Sequence, residues 1–295
     1  MTNVTVVAHE RKLGRSDRRA LQQALEDAAV DVTWIDVPKA KKARKAAAKA
    51  VDDGADVVIA CGGDGTVRAA SESLVDTDTA LAVLPAGTAN LFATNLEIPQ
   101  DIEQAVRIGL HGRRRKLDVG TMNGERFAVM AGAGFDAQMI RQADAGLKDR
   151  IGRVAYVWTG MNELGRKPFG AKIKVNGTTW FDGKASSILF GNVGKLFAGV
   201  DAFEDARPDD GELELGVVTA DGMLEWARTI ARTAAGASQA SPYVQVTRVK
   251  KAKVTFDRKV LYELDGGERE KVKKLDVQVE PGAIEVCVPG EGEPA

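Results

Sequence analysis

Val57–Cys61 is a short apolar, mostly β-branched run, and behind it stand Gly62, Gly63, Asp64, Gly65 and Thr66 (VVIACGGDGT). A run of this length bounded by glycine reads as a buried strand rather than a helix. Helical spacing follows from Thr66 to about Val75. A buried strand that stops on glycines and re-emerges as a helix is half of a βαβ unit, whose strands are parallel and whose helices cover the sheet. Such a loop is delivered to the carboxyl edge of the sheet, where ligands of these folds sit. Glycines there let backbone approach a ligand and permit positive φ, and the N–H groups opening the next helix favour an anion. Thr66 is placed as a helix-capping hydroxyl. Asp64 would repel bare phosphate, so it needs a cation or a donor beside it, which points to phosphate carried with magnesium. The plainer reading is a tight glycine turn with Asp64 as a cap.

A second loop repeats the logic. Ala80–Leu84 reads as the next strand, and PAGTANLFATNL follows it. Pro85 ends the strand, Gly87 turns, Thr88 is expected to cap, and Asn90 is expected in the first helical turn; alternatively Asn90 is a solvated helix-start residue. No lysine follows either glycine group as a Walker loop requires, and the G-x-G-x-x-G dinucleotide pattern is missing here. Upstream, residues 4–8 and 32–37 read as strands, 16–30 as a helix capped by Ser16, and 39–52 as an Ala/Lys-rich helix stopped by Gly54.

Past residue 112 the texture changes. Asn123-Gly124 and Asn176-Gly177 stand between strand-like runs, a hairpin signal, and residues 243–289 alternate apolar with polar. Helical segments interrupt this half near 150–164 and 221–235. The fold expected is an N-terminal α/β domain with a parallel, Rossmann- or phosphofructokinase-like sheet over residues 1–122. A mostly antiparallel β-sandwich follows over 123–295, and the tail GEGEPA is read as disordered.

Composition narrows the function. The 295 residues carry 41 basic and 42 acidic side chains, so no overall field draws the chain to nucleic acid. Two cysteines, Cys61 and Cys287, are read as buried free thiols, and two histidines make a His/Cys zinc site improbable. No apolar run reaches the roughly 18 residues a membrane span needs, and a cytoplasmic protein is expected. The basic segment KAKKARKAAAK (39–49) has no large apolar residue for insertion and is read as a solvated face. Lys148 and Lys195 are read as solvated lysines, and RRRK (113–116) as facing either phosphate or water. Trp158, Phe169, Trp180, Phe190, Phe197 and Phe203 are read mostly as core, a minority as lining for an acyl chain.

CGGDGT followed by LPAGTANLFATNL resembles the diacylglycerol kinase catalytic domain family, which includes sphingosine kinases and bacterial lipid kinases. The first motif alone is shared with NAD kinases and phosphofructokinases. The likeness continues in family order through RKLDVG (115–120), GAGFDA (132–137), LKDRIGRVAYV (147–157), GNVGKLFAG (191–199), PDDGELEL (208–215) and LDGGE (264–268). It implies ATP-dependent phosphorylation of a lipid hydroxyl with magnesium, at a membrane surface. By motif position it assigns Gly62, Gly63, Asp64, Gly65, Thr66, Gly87, Thr88 and Asn90 to the nucleotide. It assigns Asp265 as general base with Glu268 beside it, and Asp209 and Asp210 to the metal. The chain departs from the family in three places. AHERKLG replaces the early Asn-Pro loop, with Gly14 its one echo. LDGGE carries an extra glycine, which Glu268 would have to bridge through a bulge. Arg207 stands where an acid can occur. Two alternatives follow: an NAD-kinase-like enzyme for a soluble substrate, and a nucleotide-binding regulator with reduced catalysis. A homodimer is left open, and so is the lipid alcohol.

Overall fold

The computed structural model describes residues 2–134, 168–196, 200–221, 225 and 241–290. The chain divides into two compact units. The first is Met1–Leu117 with Gly282–Ala295, and the second is Asp118–Pro281.

The first unit is built on parallel strands. In chain order its elements are β1 (Asn3–His9), α1 (Arg15–Asp27), β2 (Asp31–Val37), a 3-10 turn (Ala40–Lys42), α2 (Ala43–Asp52), β3 (Val57–Gly62), α3 (Asp64–Ser71), β4 (Ala80–Pro85), α4 (Leu91–Asn95) and α5 (Ile102–His111). β1 lies between β2 and β3, and β4 joins on the far side of β3, all parallel. Every residue of β3 and β4 is buried, as strands covered on both faces must be. The α1 stripe of Leu21 and Leu25 and the α2 stripe of Ala43, Ala46, Ala47 and Ala50 supply the covering apolar faces. Gly54 stops α2 at φ +80°, as expected. Ser16 does not cap α1: Gly14 occupies that position, and the Ser16 hydroxyl instead bonds Asp17.

The second unit is antiparallel. β5 (Arg113–Met122) leads into it and is followed by β6 (Glu125–Phe127), β7 (Met130–Ala133), β8 (Phe169–Val175), β9 (Thr178–Ala185), β10 (Ser187–Gly191), β11 (Lys195–Leu196) and β12 (Val200–Asp201). Then come β13 (Leu213–Val218), β14 (Val244–Val249), β15 (Lys251–Leu264) and β16 (Gly267–Val288). The pairings run β14–β13–β10–β7–β15, with β8 also on β15 and β9 on β8. Both Asn-Gly pairs make the expected hairpin turns: Asn123 and Gly124 have φ of 51° and 82°, Asn176 and Gly177 of 50° and 89°, the left-handed pair a type I′ turn needs. Phe169 meets Phe256 edge to face at 5.3 Å between ring centres, inside a core that includes Phe127, Ile173, Phe190, Leu215 and Leu264. Phe169, Phe190 and Phe203 are buried, and Trp180 packs against the core from its margin.

The last residues of β16 return to the first unit, where Val286 pairs parallel with Leu81. Both cysteines are buried and free, and burial raises both thiols, Cys287 to about 11. Among the described residues no helix is long and apolar enough to cross a membrane. The helical expectations at 150–164 and across most of 221–235 lie outside the described residues, as do Lys148, Trp158, Phe197, the latter part of GAGFDA and the terminal tail.

Candidate active site

The first unit brings the two glycine loops into contact. A methyl group on Gly87 would collide with Gly63 Cα and stand 2.7 Å from Asn90 Oδ1, and one on Gly63 would come within 3.1 Å of Gly87 Cα. The two turns therefore touch backbone to backbone, and no other residue fits at Gly87 without moving one of them. Ala86 N–H donates to Gly62 O at 2.9 Å, carrying the β3–β4 ladder into the loops.

Helix α3 starts two residues before the sequence pattern suggested. Gly63 is its N-cap, with no side-chain cap, so Thr66 falls in the first turn rather than at the cap. Its hydroxyl is buried against Gly62, where an added Cβ would stand 2.5 Å from Oγ1. Thr88 does not cap either. Asn90 is the N-cap of α4, in the left-handed region at φ 47°, a conformation short polar side chains tolerate. Asn90 is 3 % exposed rather than solvated. Its Oδ1 accepts from Gly87 N–H and its Nδ2 donates to Gly87 O, both at 2.9 Å, so it holds the loop closed. Thr88 is exposed on that loop.

Asp64 has the donor that its position required. Its Oδ1 accepts from Phe92 N–H at 3.0 Å, so this carboxylate seats the start of α4 against the start of α3. Burial pushes its carboxyl above the ordinary carboxylate range, and the N–H groups of Phe92 and Leu91 act in the opposite direction. Gly65 is different from its neighbours: an added Cβ would meet Ala40 Cβ at an ordinary 3.6 Å.

The second unit centres on Asp265. The extra glycine of LDGGE needs no bulge. Leu264 pairs Gly267, Glu263 pairs Glu268, and Tyr262 pairs Arg269 in unbroken register. Asp265 and Gly266 alone form the turn, at φ 46° and 73°, and Gly267 opens β16. Asp265 N–H donates to Met130 O at 2.8 Å. Its Oδ2 accepts from Ala128 N–H, and its Oδ1 from Val129 and Met130 N–H, all at 2.9 Å. Glu268 is exposed, directly across the ladder from Glu263, which is fully buried.

Two residues that the motif reading left without a role join these parts. Asn192, 1 % exposed, donates from Nδ2 to Ala128 O and to Asp118 O, and its N–H donates to Val129 O. It thus braces the segment that cradles Asp265. Buried Asp118 accepts from Gly211 N–H at 2.6 Å and donates its own N–H to Pro208 O. The sequence signal was present in Asn192, a polar side chain at the end of an otherwise apolar strand run, whereas Asp118 stands mid-strand behind four basic residues and gave none. The 208–211 turn carries the two metal candidates. Asp209 is exposed, while Asp210 Oδ1 accepts from Glu212 N–H and its Oδ2 faces Arg248 at 3.6 Å. Arg248 also bonds Glu214 at 3.0 Å. Among the described residues no three His, Cys, Asp or Glu side chains converge on one point.

With this geometry in hand, two family models divide the chain. The diacylglycerol kinase catalytic domain matches residues 4–122, and the YegS C-terminal NAD kinase beta sandwich-like domain matches 129–288. The chain is 30 % identical over 273 residues to the probable lipid kinase YegS-like of Stenotrophomonas maltophilia, covering 88 % of this chain and 86 % of that one. The chain belongs to the YegS-like diacylglycerol kinase family. The kinase is also 31 % identical over 219 residues to the diacylglycerol kinase of Bacillus subtilis, covering 72 % and 71 %. Its fold matches a diacylglycerol kinase structure from Bacillus anthracis with a TM-score of 0.74 at 19 % identity, covering 97 % and 96 %. An NAD kinase from Archaeoglobus fulgidus in complex with ATP follows at 0.59 and 11 %, covering 97 % and 93 %. At these identities both likenesses speak for the fold.

Proposed function

We propose that this kinase transfers the γ-phosphoryl group of ATP to the hydroxyl of a membrane lipid such as diacylglycerol. The observation that carries the phosphate half is the contact between Gly63 and Gly87. It leaves a glycine-rich strip of backbone at the start of α3, suited to phosphate oxygens. Gly62, Gly63, Asp64, Gly65 and Thr66 form that strip, Gly87 and Thr88 its second wall, and Asn90 acts by fixing Gly87. The lipid half is supported by the names of the relatives.

Phosphoryl transfer is mainly positioning and charge neutralisation. The substrate oxygen bonds to the γ-phosphorus, the bond to the β-phosphate oxygen breaks, ADP leaves, and the hydroxyl proton passes to a base. Asp265 is assigned that proton. Three backbone N–H groups hold its carboxylate in one orientation, and Oδ2 is the oxygen nominated to receive it. Glu268, exposed one pair beyond the turn, is the secondary carboxylate. Magnesium would supply neutralisation of phosphate charge. Asp209 and Asp210 offer oxygen donors of the type it takes, one or two carboxylates with water and phosphate completing the shell, and Asp210 would share itself with Arg248.

Labelled ATP with a total lipid extract, followed by mass spectrometry of the products, tests the reading. Label is expected in a phospholipid. Label appearing only in NADP when NAD is offered would replace the lipid with a soluble substrate. Nucleotide binding without transfer to any alcohol would support the regulator.

A further inference from the structure

Resting on the lipid-substrate reading, we infer that the basic turn and first residues of α2 form the surface by which this kinase docks on an anionic membrane. The four alanines of α2 face inward, which throws Lys41, Lys42, Arg44 and Lys45 outward, all exposed. They rim a recess of about 510 Å³ whose other lining is Ala48, Glu72 and Ser73. The cations differ in their partners. Arg44 faces Glu72 at 3.6 Å, and Glu72 is held by Arg68 at 2.6 Å. The ammonium groups of Lys41, Lys42 and Lys45 make no ion pair or hydrogen bond among the described residues. Three uncompensated ammonium groups within five residues are thus concentrated on a chain whose net charge is −1.

The partner chemistry follows from what the patch has and lacks. It has cations around an open recess accessible to a phosphate headgroup. It lacks any aromatic side chain on which a base could stack, and the near-neutral remainder of the chain offers a long polyanion no continuous track. Without large apolar residues the contact is electrostatic and superficial, so it weakens steeply with salt.

The test uses the full chain. Co-sedimentation is compared on phosphatidylcholine vesicles with and without about one-third phosphatidylglycerol, for wild type, for Lys41→Gln/Lys42→Gln/Lys45→Gln, and for the equally discharged Lys174→Gln/Lys251→Gln/Lys259→Gln in the second unit. Wild type should bind only the anionic vesicles. The α2 triple variant should lose on the order of 100-fold in partitioning, and the control triple only a few-fold. Equal losses in both triples, no preference for the anionic vesicles, or tighter binding to duplex DNA than to vesicles would each overturn docking. Turnover of detergent-dispersed diacylglycerol separates this from the substrate reading. It is expected to be unchanged in the α2 triple. If no lipid is phosphorylated in any form while vesicle binding still falls in that variant, the substrate reading fails and docking stands.

Discussion

Gly87 and Gly266 both follow the end of a strand in a turn with a functional assignment, and they are glycine for opposite reasons. Gly87 is crowded, since another backbone, that of Gly63, occupies the space where its Cβ would go. Gly266 has open space around it, with nothing within 4 Å of an added Cβ, but sits at φ 73°. The first glycine is fixed by tertiary approach, the second by local torsion. The two aspartates nearby follow the same division. Asp64, half-buried like Asp265, spans between two helix starts. Asp265 is partly exposed on its turn and held by three N–H groups of one segment. One loop pair is shaped by what must come close, and the other turn by what it must present.

The largest expected effect tests presentation. Asp265→Asn should lower phosphoryl transfer by about 10²–10⁴-fold, the range for losing a positioned base. It should also lower the melting temperature, because an amide turns one N–H toward the three N–H donors of residues 128–130. Full transfer in this variant, measured with labelled ATP, would remove Asp265 from the mechanism. Approach is tested next. Gly87→Ala should destabilise the first unit by about 1–3 kcal/mol through overpacking, measured by urea denaturation, and abolish saturable nucleotide binding. Gly266→Ala should cost about 1 kcal/mol of torsional strain and leave nucleotide binding intact. Similar losses in the two would show that the contact of Gly63 with Gly87 is not what shapes the site.

Much of the fold was legible because its signals are local. Buried apolar runs ended by Gly or Pro gave β3 and β4, and Asn-Gly pairs gave the turns after β5 and β8. Even the turn at Asp265-Gly266 is the same chemistry, with Gly267 simply joining the strand. The misplaced features are three helix caps, at Ser16, Thr66 and Thr88. At Thr66 and Thr88 a hydroxyl's preference for the cap, worth about 1 kcal/mol, is too little to oppose helix starts set by the meeting of two loops. Asn90 took the α4 cap because its amide closes on Gly87. What local pattern could not show was pairing over distance. The donors to Asp265 lie 135 to 137 residues upstream. Asn192 and Asp118 are 74 residues apart, and nothing in the spacing of either motif joins them.

Gly65 sharpens the comparison because neither reason for glycine applies to it. Its torsion is ordinary for a helix and its Cβ would make a normal contact with Ala40. Gly65→Ala should therefore stabilise the fold by about 0.5–1 kcal/mol, the difference in helix propensity. If phosphate approaches the backbone there, the same change should weaken nucleotide binding several-fold. A stabilised variant with unchanged affinity would move the phosphate away from Gly65.

The smallest effect concerns Asp64, and its sign distinguishes a buried charge from a cap. Burial raises its folded pKa above the ordinary 3.8, so the folded state holds this proton more tightly than the unfolded chain does. Its contribution to stability is then fullest at low pH and declines as pH rises through the raised value. Asparagine keeps an oxygen to accept Phe92 N–H but cannot ionise. The stability of Asp64→Asn relative to wild type should thus climb as pH increases from about 4 toward neutrality, by urea midpoint, while nucleotide turnover falls. An ordinary surface cap predicts the reverse. There the charged carboxylate would favour the positive helix start, and asparagine would lose ground over the same interval. Relative stability rising with pH would mean that the loop keeps an ionisable aspartate at some expense to its own stability, as expected where the charge serves the ligand rather than the fold.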